Sequence, residues 1–244
     1  MSQDKKKEIY FFDKFVKSKN EYTVFSKKGY EKLFLELKKS LNIDKKNLKI
    51  VDLGCGTGAF TKKISLLSNE VFGCDISSES IKIASRIYPN ISFSVQDIEN
   101  LTYENSSFDV VIFSGVLHHF NNLEKPLLEA KRILKNDGLI FAFDPNLNNP
   151  FFWLYRRKKS WFYSNVGVTD NEEPLTKNKI ITAGQNCNFG KISVYAISGI
   201  SFNYIKSSIL SIFLPVYNFI DFLFNIIPFI RNKIGSFLIT KIKK

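Results

Sequence analysis

The chain has 244 residues, of which 44% are hydrophobic, and this length allows one substantial hydrophobic core. Its three cysteines form no C-x-x-C pair and have no histidine nearby, so neither a zinc site nor a disulfide framework is predicted, and no other metal site is expected. The polar start, with no apolar region after its lysines, favours a cytoplasmic protein over a secreted one.

The net charge of +12 is unevenly distributed along the chain. Residues 1–49 carry 14 Lys and Arg against 7 Asp and Glu, and residues 151–244 carry 13 against 4, whereas residues 50–150 carry 8 against 12. Basic flanks attract anions such as lipid headgroups, sugar phosphates or nucleic acid. Ordinary solvated lysines are the alternative interpretation.

Hydrophobic periodicity predicts the elements of an α/β fold. Residues 8–41 indicate two amphipathic helices. These helices would belong to an N-terminal cap that consists of residues 1–45. From residue 46 onwards, strands alternate with helices, as in a doubly wound parallel sheet. The strands are predicted near 48–53, 70–75, 91–95, 108–114 and 138–143, and the helices near 58–67, 78–88 and 123–135.

The first strand ends in a glycine-rich turn. Gly54, Gly56 and Gly58 are spaced every second residue, and a helical pattern begins directly after them. Glycine allows positive φ and lets a ligand approach the backbone closely. The turn would place that ligand beside the free N–H groups at the start of the helix.

Polar residues follow the next three strands at the same predicted sheet edge. Asp75 ends the second strand, 21 positions after Gly54, where an acidic residue holds the two hydroxyls of a ribose. Asp97 follows the third strand and Ser114 ends the fourth. Ligands of such sheets bind outside the carboxyl ends of the strands.

The pattern D-x-G-x-G-x-G and these landmarks resemble class I S-adenosylmethionine-dependent methyltransferases, in particular a bacterial type 11/12-like small-molecule branch. The resemblance implies a Rossmann-like, doubly wound, seven-stranded sheet, with strands near 190–196 and 235–241 and with the last strand antiparallel and closing the sheet. It implies S-adenosyl-L-methionine as cofactor, with the glycines under its methionine part, Asp75 on the ribose, Asp97 and Ile98 at the adenine, and the Ser114 carbonyl at the amino group. The implied cofactor-binding residues are Asp52, Gly54, Cys55, Gly56, Gly58, Asp75, Ile76, Asp97, Ile98 and Ser114.

His118 and His119 follow the fourth strand and are the chain's only histidines. A hydroxyl acceptor benefits from a general base with a pKa near neutrality, so both are candidate catalytic residues. Because consecutive helical side chains diverge by about 100°, at most one of them is expected to face the pocket. Packing and capping are the alternative roles.

Two insertions into the predicted core of residues 46–199 and 232–244 distinguish this chain. Residues 146–175 are aromatic and basic, and in the similar branch this insertion helps to form the substrate pocket. Residues 200–231 are apolar, with Asn218, Asp221 and Asn225 spaced as one polar stripe on a helix near 216–227. This pattern favours an interfacial helix or a pocket lid over a transmembrane span, with peripheral membrane contact through 151–163 and 200–231.

The sequence therefore predicts an enzyme that methylates a small-molecule, sugar or lipid-linked acceptor on oxygen, in the cytoplasm or at the inner face of the membrane. An RNA-directed methyltransferase that uses the basic flanks is an alternative. It is disfavoured because Phe113-Ser114-Gly115-Val116 lacks the Asn/Asp-Pro-Pro-aromatic corner of base-amine methylation. A non-catalytic cofactor-binding protein is a third hypothesis. The acceptor itself and the oligomeric state are not predicted.

Overall fold

The computed structural model describes residues 4–17, 23–41, 47–161, 163, 169, 172–202 and 214–244. Parts of three predicted segments therefore lie outside the described residues. These parts are 1–3, 18–22 and 42–45 of the cap, 162, 164–168 and 170–171 of the aromatic insertion, and 203–213 of the apolar insertion.

A seven-stranded sheet organises the chain, in the order β3-β2-β1-β4-β5-β7-β6. Strands β1 to β5 pair in parallel, and β7 pairs antiparallel with both β5 and β6. The predicted doubly wound fold and its antiparallel last strand are confirmed. The last strand does not close the edge of the sheet, because it lies between β5 and β6. The strands are β1 Lys49–Leu53, β2 Glu70–Asp75, β3 Ser92–Val95, β4 Phe108–Ser114, β5 Leu134–Pro145, β6 Lys191–Ile197 and β7 Phe237–Lys243.

Helices cover both faces of this sheet. One core cluster joins β4 to α5 and α7, and the other joins the opposite face to α2 and α3. The α-helices are α1 Lys5–Lys17, α2 Lys27–Lys38, α3 Ala59–Ile64, α4 Ser78–Ile87, α5 Glu124–Ile133, α6 Pro150–Arg156, α7 Lys177–Asn186, α8 Leu214–Ile226 and α9 Pro228–Ile234.

The central strands are apolar on both sides because both of their faces are covered. Ile50, Val51 and Leu53 of β1 are completely buried, and β4 is buried over six of its seven residues. This explains why these strands read as continuous apolar runs. Their carboxyl ends meet at the edge where the predicted site residues lie.

Two predicted helix ends differ from the observed ones. Helix α5 ends at Ile133, two residues before the prediction, and β5 begins at once with Leu134 pairing to Phe108. The register then jumps to Leu139 opposite Val110, so residues 136–138 form a bulge within β5. Helix α3 ends at Ile64 instead of residue 67.

The described part of the apolar insertion, from residue 214 onwards, contains two consecutive helices. Helix α8 ends at Ile226, and Pro228 begins α9, because proline fits the first turn of a helix and not its interior. Within the described ranges, no helix combines the length and the apolar character required to cross a bilayer.

Candidate functional site

A cavity of about 320 Å³ lies at the carboxyl edge of the sheet, and most of the predicted cofactor-binding residues line it. Helix α1 contributes Lys5, Glu8, Phe12 and Val16 to the wall, so the N-terminal cap covers the site. The predicted residues in the wall are Gly54, Cys55, Gly56, Asp75, Ile76, Asp97, Ile98 and Ser114.

The glycine turn is fixed to the second strand by a hydrogen bond. Gly56 has φ +53° and donates its N–H to Asp75 Oδ2 at 2.9 Å. A Cβ on Gly56 would meet no atom within 4 Å, so the turn presents bare backbone to the cavity. Gly54 is required for close packing inside the fold. It has φ +73°, and a Cβ at this position would lie 2.6 Å from the Val116 side chain.

Asp75 stands below this turn at the end of β2. Besides Gly56 N–H, it accepts a hydrogen bond from Ser77 N–H at 2.9 Å. Burial raises the pKa of Asp75, and the two backbone N–H groups oppose that rise. The carboxylate is therefore held rigidly at the cavity wall, where the ribose of the cofactor was expected.

Asp97 lies in the loop after β3 and forms an ion pair with Lys5 of α1, with Nζ and Oδ2 2.5 Å apart. Lys5 also contacts Glu99 at 2.5 Å. Burial opposes the charge of Lys5, but hydrogen bonds to both carboxylates raise its pKa overall. This pairing attaches the cap to the rim, and Lys5 was not identified from the sequence.

Two residues of the predicted cofactor set lie behind the cavity wall. Asp52 is fully buried and accepts hydrogen bonds from Thr61 Oγ1 at 2.6 Å and Ser114 Oγ at 2.5 Å. Gly58 precedes α3 with φ +82°, and a Cβ there would lie 2.9 Å from the Phe93 ring. Both residues shape the turn from behind.

His118 and His119 end a short 3-10 helix, Leu117–His119, and both line the cavity. The expectation that at most one of them would face the pocket is therefore wrong. Their ring centroids lie 4.4 Å apart. Each ring has its own carboxylate partner, Asp144 for His118 and Glu8 for His119.

His118 pairs with Asp144 at the end of β5. Oδ1 of Asp144 lies 3.1 Å from the His118 backbone N–H and 3.0 Å from Nδ1. Burial lowers the pKa of His118 to about 3 and raises that of Asp144 to about 8. The imidazole is therefore neutral at neutral pH and fixed in orientation.

His119 has the opposite electrostatic environment. Its Nδ1 lies 3.4 Å from Glu8 Oε2 of α1 and 3.7 Å from Glu172 Oε1 of the aromatic insertion. Burial opposes its charge, but Glu172 and Glu8 raise the pKa of His119 overall. Sequence reasoning missed both glutamates as site residues, because no spacing relates either of them to residue 119.

The ligand atoms of His118, His119 and Glu172 all lie within 4.8 Å of one another. These three side chains are thus close enough to hold a metal ion together, although no metal site was predicted from the sequence. The Asp144 carboxylate behind His118 is the kind of partner that metal-binding histidines use.

The cavity fits S-adenosyl-L-methionine by its chemistry. The bare backbone at Gly56 would leave room for the methionine part, and Asp75 and Asp97 would offer carboxylates to the ribose and adenine ends. Ile98, which follows Asp97 in the cavity wall, would lie beside the ring. Ser114, tied from behind by Asp52, completes the rim.

Comparisons with known proteins support this choice of cofactor. Residues 44–189 match the protein family described as a methyltransferase domain. A ubiquinone biosynthesis O-methyltransferase from Pelagibacter ubique is 24% identical over 169 residues, which are 67% of this chain and 69% of that protein. Several other curated relatives are matched over less than half of their own length.

Solved structures share the fold. A Thermotoga maritima S-adenosylmethionine-dependent methyltransferase, described as a possible histamine N-methyltransferase, has a TM-score of 0.67 at 17% identity and covers 97% of this chain and 99% of its own. Haemonchus contortus phosphoethanolamine N-methyltransferase 2, solved with S-adenosyl-L-methionine, has a TM-score of 0.67 at 14% identity over 96% of this chain and 56% of its own. The family match spans more than half of the sequence, and the chain therefore belongs to the class I S-adenosylmethionine-dependent methyltransferases.

Proposed function

We propose that this methyltransferase acts on a hydroxyl group of a small, largely apolar acceptor. The observation that carries the proposal is His119, which lies between the carboxylates of Glu8 and Glu172 in the wall of an otherwise mainly apolar cavity. A hydroxyl must lose its proton when it is methylated, and in this proposal His119 receives that proton.

The apolar part of the wall supports an acceptor with an apolar or aromatic body. Aromatic rings come from four helices, α1, α2, α3 and α6, and from the strands and loops at the sheet edge, so they would contact an acceptor from several sides. Pockets of this kind bind through apolar contact and orient the ligand with a few polar groups. The rings are Phe12, Phe25, Tyr30, Phe60, Phe120, Phe143, Phe152, Tyr155, Phe202 and Phe237.

The bound cofactor supplies a methyl group on a sulfonium sulfur that leaves as a neutral thioether. The residues of this chain contribute orientation, exclusion of water and proton transfer. Glu8 faces Nδ1 of His119, so a proton on Nδ1 is held by that carboxylate and Nε2 remains to take the proton of the acceptor. The acceptor oxygen gains the methyl group as its proton moves to His119.

A second candidate is methyl transfer to an amine. The two carboxylates near His119 would attract an ammonium group, and the Thermotoga structure is described as a possible histamine N-methyltransferase. Oxygen is favoured because the Pelagibacter relative is named an O-methyltransferase and aligns over two thirds of this chain.

Matched acceptors distinguish these candidates. The purified protein is incubated with methyl-labelled cofactor and with phenols, benzylic amines of the same skeleton, or bulk RNA. We expect labelled product from the phenols, and a rate about 100-fold lower for His119→Gln with unchanged cofactor affinity. A label only in the amines or only in RNA would contradict the proposal, as would a parental rate for His119→Gln.

A further inference from the structure

The polar stripe of α8 faces the protein interior. Asp221 is 1% exposed, and its Oδ2 accepts hydrogen bonds from the backbone N–H groups of Gly199 and Ile200. Asn218 exchanges hydrogen bonds with the backbone of Phe202, and Asn225 accepts one from Lys32 of α2 at 2.7 Å. These side chains attach α8 to the rest of the fold, so the helix cannot turn its apolar side inward.

The other side of α8 and the start of α9 form a large exposed apolar surface. Seven large side chains are each between 41% and 77% exposed, although scattered single residues are the usual pattern on a protein surface. We name this surface the outer face. Its residues are Val216, Phe219, Phe222, Leu223, Ile226, Ile227 and Phe229.

Helix α6 of the aromatic insertion lies against these helices. The rings of Phe151 and Tyr217 are 4.9 Å apart, and Asn149 Nδ2 donates to Ile234 O at 2.9 Å. Beyond these contacts Trp153 is 46% exposed and Trp161 is fully exposed. Exposed tryptophans next to apolar side chains are typical of helices that lie in the interfacial layer of a membrane.

The charges around the outer face are almost all positive. In the described stretches 150–161 and 214–234 the only acidic residue is Asp221, which is buried. The basic residues of these stretches are Arg156, Arg157, Lys158, Lys159, Arg231 and Lys233. A basic margin complements anionic headgroups, whereas in a symmetric dimer the same margin would face a copy of itself.

We propose that the outer face docks this protein on an anionic lipid bilayer, with the apolar side chains of α8 and α9 in the interfacial layer and the basic residues at the headgroups. Phe219 and Phe222 contribute the apolar contact, and Arg157 and Lys159 contribute the electrostatic attraction. This docking does not depend on methyl transfer, so it can be tested independently of the proposed function.

The two tryptophans of the chain, Trp153 and Trp161, are intrinsic reporters of this docking. The full chain is titrated with phosphatidylcholine vesicles, with and without phosphatidylglycerol, some carrying brominated acyl chains. We expect a blue shift and bromine quenching with the anionic vesicles, and weaker binding when salt is added. Phe219→Ser/Phe222→Ser should reduce vesicle affinity at least tenfold, and Arg157→Glu/Lys159→Glu should do so in anionic vesicles only.

Matched controls lie on exposed positions elsewhere. Leu66 and Leu128 are 70% and 51% exposed, and Leu66→Ser/Leu128→Ser should change affinity less than twofold, as should Lys82→Glu/Lys125→Glu. Cofactor binding verifies that each variant is folded. The proposal is overturned if the parent does not bind anionic vesicles, if the controls lose as much affinity as the test variants, or if sedimentation shows a dimer that only Phe219→Ser/Phe222→Ser dissociates.

Discussion

Ser114 Oγ donates a hydrogen bond to Asp52 Oδ1 at 2.5 Å, although Ser114 lies in the cavity wall and Asp52 is completely buried behind it. The second carboxylate oxygen of Asp52 accepts from Thr61 of α3. One side chain of β1 therefore joins the ends of two strands and the helix after the glycine turn. Burial raises the pKa of Asp52 to about 7, so this junction is sensitive to pH.

The raised pKa of Asp52 predicts a loss of stability as pH increases. The folded protein binds the Asp52 proton more tightly than the unfolded chain, so stability from this group is full at low pH and is lost as pH rises towards 7. Relative to Asp52→Asn, the parent should lose about 2–3 kcal/mol of unfolding free energy between pH 5 and pH 8. Urea denaturation measures this difference.

The control is Asp137→Asn, at an exposed position in the β5 bulge. It makes the same change of side chain and is compared with the parent over the same pH range. If Asp52→Asn differs from the parent by a constant amount between pH 5 and pH 8, Asp52 is ionised in the folded state throughout the range.

Substitutions at two glycines of the turn distinguish a role in packing from a role in cofactor binding. Gly54→Ala should destabilise the protein because the new Cβ overlaps Val116, and the added Val116→Ala should recover part of the loss. Gly56→Leu adds no clash within 4 Å at Cβ, so its cost should be mainly the left-handed backbone, about 1–2 kcal/mol.

Gly56→Leu should nevertheless abolish cofactor binding, because its side chain fills the space above the turn. Calorimetric titration with S-adenosyl-L-methionine, together with thermal unfolding, distinguishes the two effects. Parental affinity in Gly56→Leu would show that the cofactor does not lie against this turn.

Asp97 and Glu99 both contact Lys5, but only Asp97 lines the cavity. Asp97→Ala should weaken cofactor binding about 10- to 150-fold, since a hydrogen bond to a charged group contributes about 1.5–3 kcal/mol. Glu99→Ala removes an equivalent contact of the cap and should change affinity less than twofold. Equal losses in the two variants would mean that attachment of α1, and not contact with adenine, determines affinity.

The features that could be predicted from the sequence are those that the strand ends determine. Gly54, Gly56 and Asp75 lie next to the ends of apolar runs, and parallel strands bring their carboxyl ends to one edge. Asp52 belongs to the same motif, yet its side chain points away from the cavity, and spacing along the chain does not reveal that direction. The position of β7 between β5 and β6 likewise depends on pairing between residues that are distant in the sequence.

Groups that approach the site from distant segments were not predictable. Glu8 is brought to His119 by the packing of α1, and Glu172 by the return of the aromatic insertion over the cavity. The stripe of Asn218, Asp221 and Asn225 was visible as a helical pattern. Its inward direction was not, because it depends on the backbone N–H groups of Gly199 and Ile200.

The environment of His119 predicts the pH dependence of methyl transfer. Burial opposes the charge of His119, but Glu172 and Glu8 raise its pKa above the usual 6.5, and a base must be unprotonated to accept a proton. We expect kcat/KM for a phenolic acceptor to rise with pH through a midpoint above 6.5. Glu172→Gln removes one of these negative charges, so the midpoint should shift to lower pH.

Glu173→Gln is the matched control. The backbone N–H of Glu173 donates to the His118 carbonyl, and Glu173 is not among the residues that line the cavity. This variant should leave the midpoint unchanged. An unshifted midpoint in Glu172→Gln would assign the titration to another group.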